Sequence, residues 1–146
     1  MAKFIYKMQN ILNIKYKMEE QEKIRYANAN HRLQQETLKL QRIYDDIHVY
    51  EQSMRDESQD KLDLMELRRL QDAIMIKKEQ AKEQILAVEA ARKTLEAARK
   101  RLNEVMIDRK THEKLRENAF EEFKVELNEQ EKKEVDELVS FRFGKK

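Results

Sequence analysis

Side chains able to do acid–base, nucleophilic or metal chemistry are plentiful in this chain, yet none sits at a spacing that chemistry requires. The histidines are His31, His48 and His112, too scattered for an H-E-x-x-H motif or an i, i+4 pair on one helix face. A lone histidine among charged neighbours reads as solvated. Ser53, Ser58 and Ser140 have no adjacent histidine and acid to activate a hydroxyl. Acid pairs such as Glu121–Glu122 are common, and on a helix they read as a solvated face or as partners of nearby Lys and Arg. The chain has no cysteine, so neither a disulfide framework nor a thiolate metal site is available. Its single glycine cannot build a phosphate-cradling loop, and no G-x-x-x-x-G-K-[ST] occurs. The sequence predicts no catalytic residue, no metal site and no cofactor: a protein that is not an enzyme.

The elements that carry these residues are read from composition. Over 146 residues the chain is 41% charged and 40% hydrophobic, with no proline. Turns usually need Gly or Pro, so turns must be few. This is the composition of long helices and coiled coils, in which burial is a thin seam rather than a deep core. Lys+Arg number 31 and Asp+Glu 29, for a net charge of +2, an interleaved balance that argues against a nucleic-acid partner. The lack of cysteine fits a reducing cytosol. The opening segment is basic and apolar but is cut by Lys7, Gln9, Asn10, Asn13 and Lys15. That makes it a poor signal peptide and too polar for direct insertion into a membrane.

Heptads organise the chain. Ile74, Ala81, Val88, Leu95 and Leu102 recur every seven residues, and Ala91, Ala98 and Val105 follow three residues after members of that set. This is a helix laid against another helix. The stripe stumbles at Arg109 and Arg116 and resumes at Phe120, Phe123, Leu127, Leu138 and Phe141. In the first half, Phe4, Ile11 and Met18 begin a repeat that Leu33, Leu40, Ile47 and Met54 restore, and the pattern between Gln21 and Arg32 reads as a register shift. The stretch Arg55–Lys61 has no apolar residue, and Asp56, Ser58 and Asp60 can cap a helix. The expected fold is all-α: a single coiled-coil domain, a long antiparallel two-helix hairpin with a longer C-terminal helix. Helix 1 covers about 3–55, the turn about 56–60 and helix 2 about 61–142. In that register residue 47 meets roughly 71, 33 meets roughly 85, 18 meets roughly 100 and Phe4 falls near Lys114. About 30 C-terminal residues then overhang, roughly 40 Å of helix.

An apolar stripe with nothing to bury it implies a partner or self-association. The overhang with Phe120, Phe123, Leu127, Leu138 and Phe141 is one such surface. The tip, where Ile43, Tyr44, Tyr50, Leu67, Leu70 and Met75 cluster about the turn, is a second. The basic, aromatic N-terminus is a third, read first as packing against helix 2.

The two ends of the chain carry a resemblance. Phe4, Met8, Leu12, Lys15 and Glu19–Glu20 resemble the opening of the flagellar FliJ family. Asp108-Arg109-Lys110, Lys114-Leu115, Phe123, Glu131, Glu134, Asp136-Glu137 and Arg142 resemble its ending. Length, hairpin layout and lack of proline fit along the whole chain. The resemblance implies a component of the bacterial flagellar type III export apparatus, cytoplasmic and peripheral at the cytoplasmic face of the flagellar base. It implies a stalk-like adaptor that binds the hexameric flagellar export ATPase through the paired terminal ends. By position those ends hold Phe4, Met8, Ile11, Leu115, Phe120, Phe123, Leu127, Leu138 and Phe141. It further implies contact with the export gate membrane protein, for which the tip residues Ile43, Tyr44, Tyr50, Leu67 and Leu70 are candidates, and a link to the cycling of export chaperones. Two other readings stand beside it: the equivalent stalk of a virulence secretion injectisome, similar to YscO-type proteins, and a structural coiled coil that self-associates.

Overall fold

The computed structural model describes residues 3–60 and 63–144. The chain is an all-α helical hairpin of two helices, α1 (Gln9–Asp60) and α2 (Leu64–Gly144). Nothing within either helix forces a break, because the chain lacks proline and its only glycine closes α2. The helices begin where side-chain and backbone geometry dictate. Residues 3–6 are not helical. The Tyr6 carbonyl accepts the Gln9 N–H at 3.1 Å, and the Met8 carbonyl accepts the N–H groups of Ile11 and Leu12. Helix 1 therefore starts after a turn rather than near residue 3, which leaves Phe4 free to reach across to α2.

The other boundary also lies later than the polar composition of 55–61 suggested. α1 includes residues 56–60, so Asp56 is a helical residue and not a cap. The cap of α2 is Asp63, whose Oδ1 accepts the N–H of Met65 at 3.1 Å and of Glu66 at 3.3 Å. Two otherwise orphaned donors of the first turn are thereby satisfied. Asp63 and Glu66 stand three apart, the spacing of a capping box. Lys61, the last residue of the expected turn stretch, lies outside the described residues, as do the side chains of Ser58 and Asp60.

The chain divides into two compact units, Glu22–Leu102 on the one hand and Met1–Gln21 with Asn103–Lys146 on the other. In the first, the helices run antiparallel: Glu22 meets Arg101, Glu36 meets Gln84 and Asp46 meets Lys77. Each partner lies a few residues farther along α2 than a turn at 56–60 predicts, because delaying the turn shifts every opposed residue in the same direction. The covered residues of α1 include Glu22, Tyr26, Ala29, Leu33, Glu36, Leu40, Ile43, Ile47, Tyr50 and Met54. Those of α2 include Leu70, Ile74, Lys77, Ala81, Gln84, Val88, Ala91, Leu95, Ala98 and Leu102. Both sets alternate by three and four without interruption, the left-handed coiled-coil repeat. The expected register shift over 21–32 is absent. Glu22 within that stretch and Glu36 just after it occupy seam positions, so the seam is continuous while its hydrophobicity is not. The buried Glu36 carboxylate accepts Gln84 Nε2, which also reaches the Glu36 carbonyl at 2.9 Å, and Arg32 at 3.2 Å. The Gln84 bond leads in holding its pKa below the usual carboxylate value.

The second unit is also an antiparallel pair, with Gln9 against Arg116, Tyr16 against Glu113 and Glu19 against Arg109. Leu12 is its deepest side chain, 2% exposed, packed in the same unit as the buried Val105. The heptad of the first arm therefore passes through Leu12, while Ile11 faces solvent.

Candidate partner-binding surfaces

The terminal end is built on a polar network where the sequence stripe had stumbled. Arg109 follows Val105 by four residues, the step a seam position requires. Its guanidinium is paired with Glu19, Nε to Oε2 at 2.7 Å and Nη2 to Oε1 at 3.1 Å. This is the two-pronged geometry that suits a planar fork and a carboxylate. Glu19 is only 5% exposed. Arg109 Nη1 also donates to Glu113 at 3.1 Å, and the Tyr16 hydroxyl donates to the same carboxylate. The Glu19 bond leads in raising the Arg109 pKa further above its already high value. The Tyr16 hydroxyl, followed by Arg109, holds Glu113 below the usual carboxylate range, and the Tyr16 phenol is raised in return. Lys15 Nζ meets Asp108 Oδ2 at 2.8 Å and depresses the Asp108 carboxyl. Sequence reading missed this network because it scored hydrophobicity. Counting by three and four from Val105 would have found it.

Beyond the network lies an aromatic cluster. The Phe4 ring meets Phe120 edge-on, centroids 5.1 Å apart, and Phe123 at a tilt, 5.4 Å apart. The Arg116 guanidinium stands 5.8 Å from the Phe4 centroid, and its Nε donates to Gln9 Oε1 at 2.8 Å. Lys124 Nζ lies 4.9 Å from the Phe120 centroid. Phe4 therefore falls on Phe120 and Phe123 rather than near Lys114, and those two rings are partly covered within the chain. Leu127 is half-buried.

From residue 128 to 144 every α2 residue is exposed. The overhang is shorter than about 30 residues, because the later turn carries α1 farther along α2. It still presents Val135, Leu138, Val139, Phe141 and Phe143 to solvent, with Leu138 66% and Phe143 69% exposed. Met8, Ile11 and Leu115 add exposed apolar surface in this unit.

At the other end, the candidate residues separate. Leu70 is 8% exposed and belongs to the seam, so its assignment to a docking surface is corrected: it packs the hairpin. Ile43, Tyr50 and Leu67 are half-covered. Tyr44 is 44% exposed, and Val49, Leu64, Met65 and Met75 are more so. The seam claimed what heptad spacing assigns to it and left the flanking positions outside.

Among the described residues there is no cluster of His, Asp and Glu that could hold a metal ion, and no helix is long and apolar enough to cross a membrane. Two helices paired by a polar-interrupted seam, with apolar side chains left exposed, define a coiled-coil protein. The profile of the flagellar FliJ protein family matches residues 4–146, and the chain belongs to that family. The family is that of a non-enzymatic component interacting with the export apparatus, and the role of this chain is thus related to flagellar protein export by a type III system. No curated protein and no solved structure matches the chain.

Proposed function

We propose that this protein is a stalk-like adaptor that binds the hexameric flagellar export ATPase through its terminal end and couples it to the export gate through its tip. The observation that carries the reading is the run of exposed α2 residues from 128 to 144. Full burial of one large apolar side chain is worth about 1.5–3 kcal/mol. Covering Leu138, Val139, Phe141 and Phe143 therefore supplies a driving force for association. Phe120, Phe123 and Leu127 extend that stripe toward the hairpin, with Phe4, Met8, Ile11 and Leu115 beside it. The interleaved Glu and Lys residues of the same stretch keep the free protein in solution. At the tip, Tyr44 is the candidate gate contact, with Ile43, Tyr50 and Leu67 presenting their outer edges. Export chaperones are further candidate partners. The family match favours the flagellar system over the injectisome.

The test is to mix the purified protein with the cognate ATPase and measure hydrolysis and ring assembly. Stimulation by the full chain, lost on removing residues 128–146, is the expected result. No effect of the full chain, or an undiminished effect of the shortened one, refutes the assignment. A concentration-stable dimer indifferent to the ATPase points instead to self-association.

A further inference from the structure

We infer that the row Arg25, Arg32 and Lys39 is a docking site for a second copy of this chain, which lays the acidic segment 117–137 of its own α2 along it. The inference goes beyond the docking of the ATPase and does not rest on it.

The row lies beside the seam and meets no counter-charge across it. Arg25, Arg32 and Lys39 follow the seam residues Glu22, Ala29 and Glu36 by three. On α2, Ala87, Thr94 and Arg101 follow Gln84, Ala91 and Ala98 by three. In an antiparallel pair these two rows meet along one side, where opposite charges usually pair. Here two of the facing residues are small and uncharged, and the third is another cation. The cations instead share seam carboxylates, two to each. Glu22 is met by Arg25 at 3.2 Å and Arg101 at 3.7 Å, and Glu36 by Arg32 at 3.2 Å and Lys39 at 3.7 Å. Positive charge is left in excess, and the Arg25 and Arg32 side chains remain 71% and 70% exposed. The small residues also leave this side hollow, as a groove of about 570 Å³ lined by Arg25, Ala29, Arg32 and Thr94 among others.

The matching charge is in the same sequence. Residues 22–42 with 82–102 carry eleven Lys and Arg against five Asp and Glu, a net +6, and residues 117–137 carry three against nine, a net −6. Glu122, Glu129 and Asp136 recur every seven residues, as Arg25, Arg32 and Lys39 do. Both rows therefore repeat at about 10.5 Å and match in either direction along α1. Val125, Lys132 and Val139 fall between the acids and complete an alternation by three and four. The two valines are 55% and 47% exposed. This face of α2 thus has the pattern of a helix laid against another, with Lys132 the only cation on it. It is not the face the chain covers itself, which carries Phe123 and Leu127. α2 runs unbroken from Leu64 to Gly144, so the 122–136 row is not folded against the 87–101 row of its own helix. A second copy supplies the occupant.

Two measurements on the full chain test this. In sedimentation at low ionic strength the mean mass should rise with protein concentration, and added salt should return it to the monomer, because exposed charge pairs are screened. Glu122→Lys, Glu129→Lys and Asp136→Lys together should weaken the association by roughly tenfold or more, since three modest attractions become repulsions. None of the three acids is in an ion pair among the described residues, so helical circular dichroism should not change. Arg32→Gln with Lys39→Gln should weaken association from the other side of the contact. In the second measurement, the absence of native cysteine lets Thr94→Cys copies be mixed with Val125→Cys copies and treated with a short bis-maleimide. The two kinds of copy should join, and the three lysine substitutions in the Val125→Cys copy should prevent it. A monomer at every concentration, an association that ignores salt or survives the lysines, or no joining of the mixed copies overturns the proposal. No ATPase enters either measurement, so terminal docking of the ATPase and this contact stand or fall separately.

Discussion

Replacing Arg109 by leucine tests whether the polar interval of the terminal unit is a seam in its own right. The substitution removes both Arg109–Glu19 bonds, at 2.7 and 3.1 Å, and the 3.1 Å bond to Glu113. It leaves the Glu19 carboxylate, 5% exposed, against an apolar neighbour. A hydrogen bond to a charged group is worth about 1.5–3 kcal/mol net, and stripping one partner from a fully buried pair costs about 3–5 kcal/mol. Arg109 keeps 17% of its side chain in contact with water, and a two-helix seam is never far from solvent. We therefore expect a loss near the lower end, about 2 kcal/mol. Replacing Glu19 by leucine alone should cost a similar amount. The double variant should recover most of it or exceed the wild type, because apolar side chains of similar volume remove the desolvation penalty of both ions together. The assay is urea unfolding followed by helical circular dichroism, with the four proteins forming a double-mutant cycle. If the double variant is as unstable as the two single losses added, the residues do not oppose each other and the antiparallel register assigned to this unit is wrong.

Two further predictions separate this register from its rivals. Leu12→Ala should cost about 2–4 kcal/mol, since it empties the deepest position of the unit, whereas Ile11→Ala, on the solvent side, should cost well under half as much; equal losses would place the seam elsewhere. Stability should fall as pH drops below the ordinary carboxylate values of 4.5 and 3.8. Glu36, Asp108 and Glu113 all have depressed folded-state pKa values, so their contribution is complete above that range and is lost as pH falls through those lowered values. Tyr16, raised from 10.0, contributes below that pH and loses its contribution above it. Glu113→Gln should flatten part of the acid limb, and an unchanged acid limb in a pH series of urea midpoints counts against the network.

Sequence alone determined the class of fold. Without proline or internal glycine the chain had to be helical, and seven-residue spacing from Ile74 to Leu102 required a second helix to cover it. It also determined the family, through residues near both ends. Periodicity is a local property, so it survives without knowledge of the partner. What the sequence left open was which position of α2 faces which position of α1. A turn displaced by a few residues exchanges one set of neighbours for another, and only Asp63 capping α2 fixes where that happens. The same ambiguity hid Arg109, Glu19 and Glu36. A charged residue at a seam position looks like an interruption until its counter-charge is seen opposite. Leu70 and Tyr44 make the point at the other end: both are large and near the turn, but only the packed pair of helices decided that one is core and the other surface. Chemistry along one helix is written in the order of residues, while the cover each residue receives depends on the other helix.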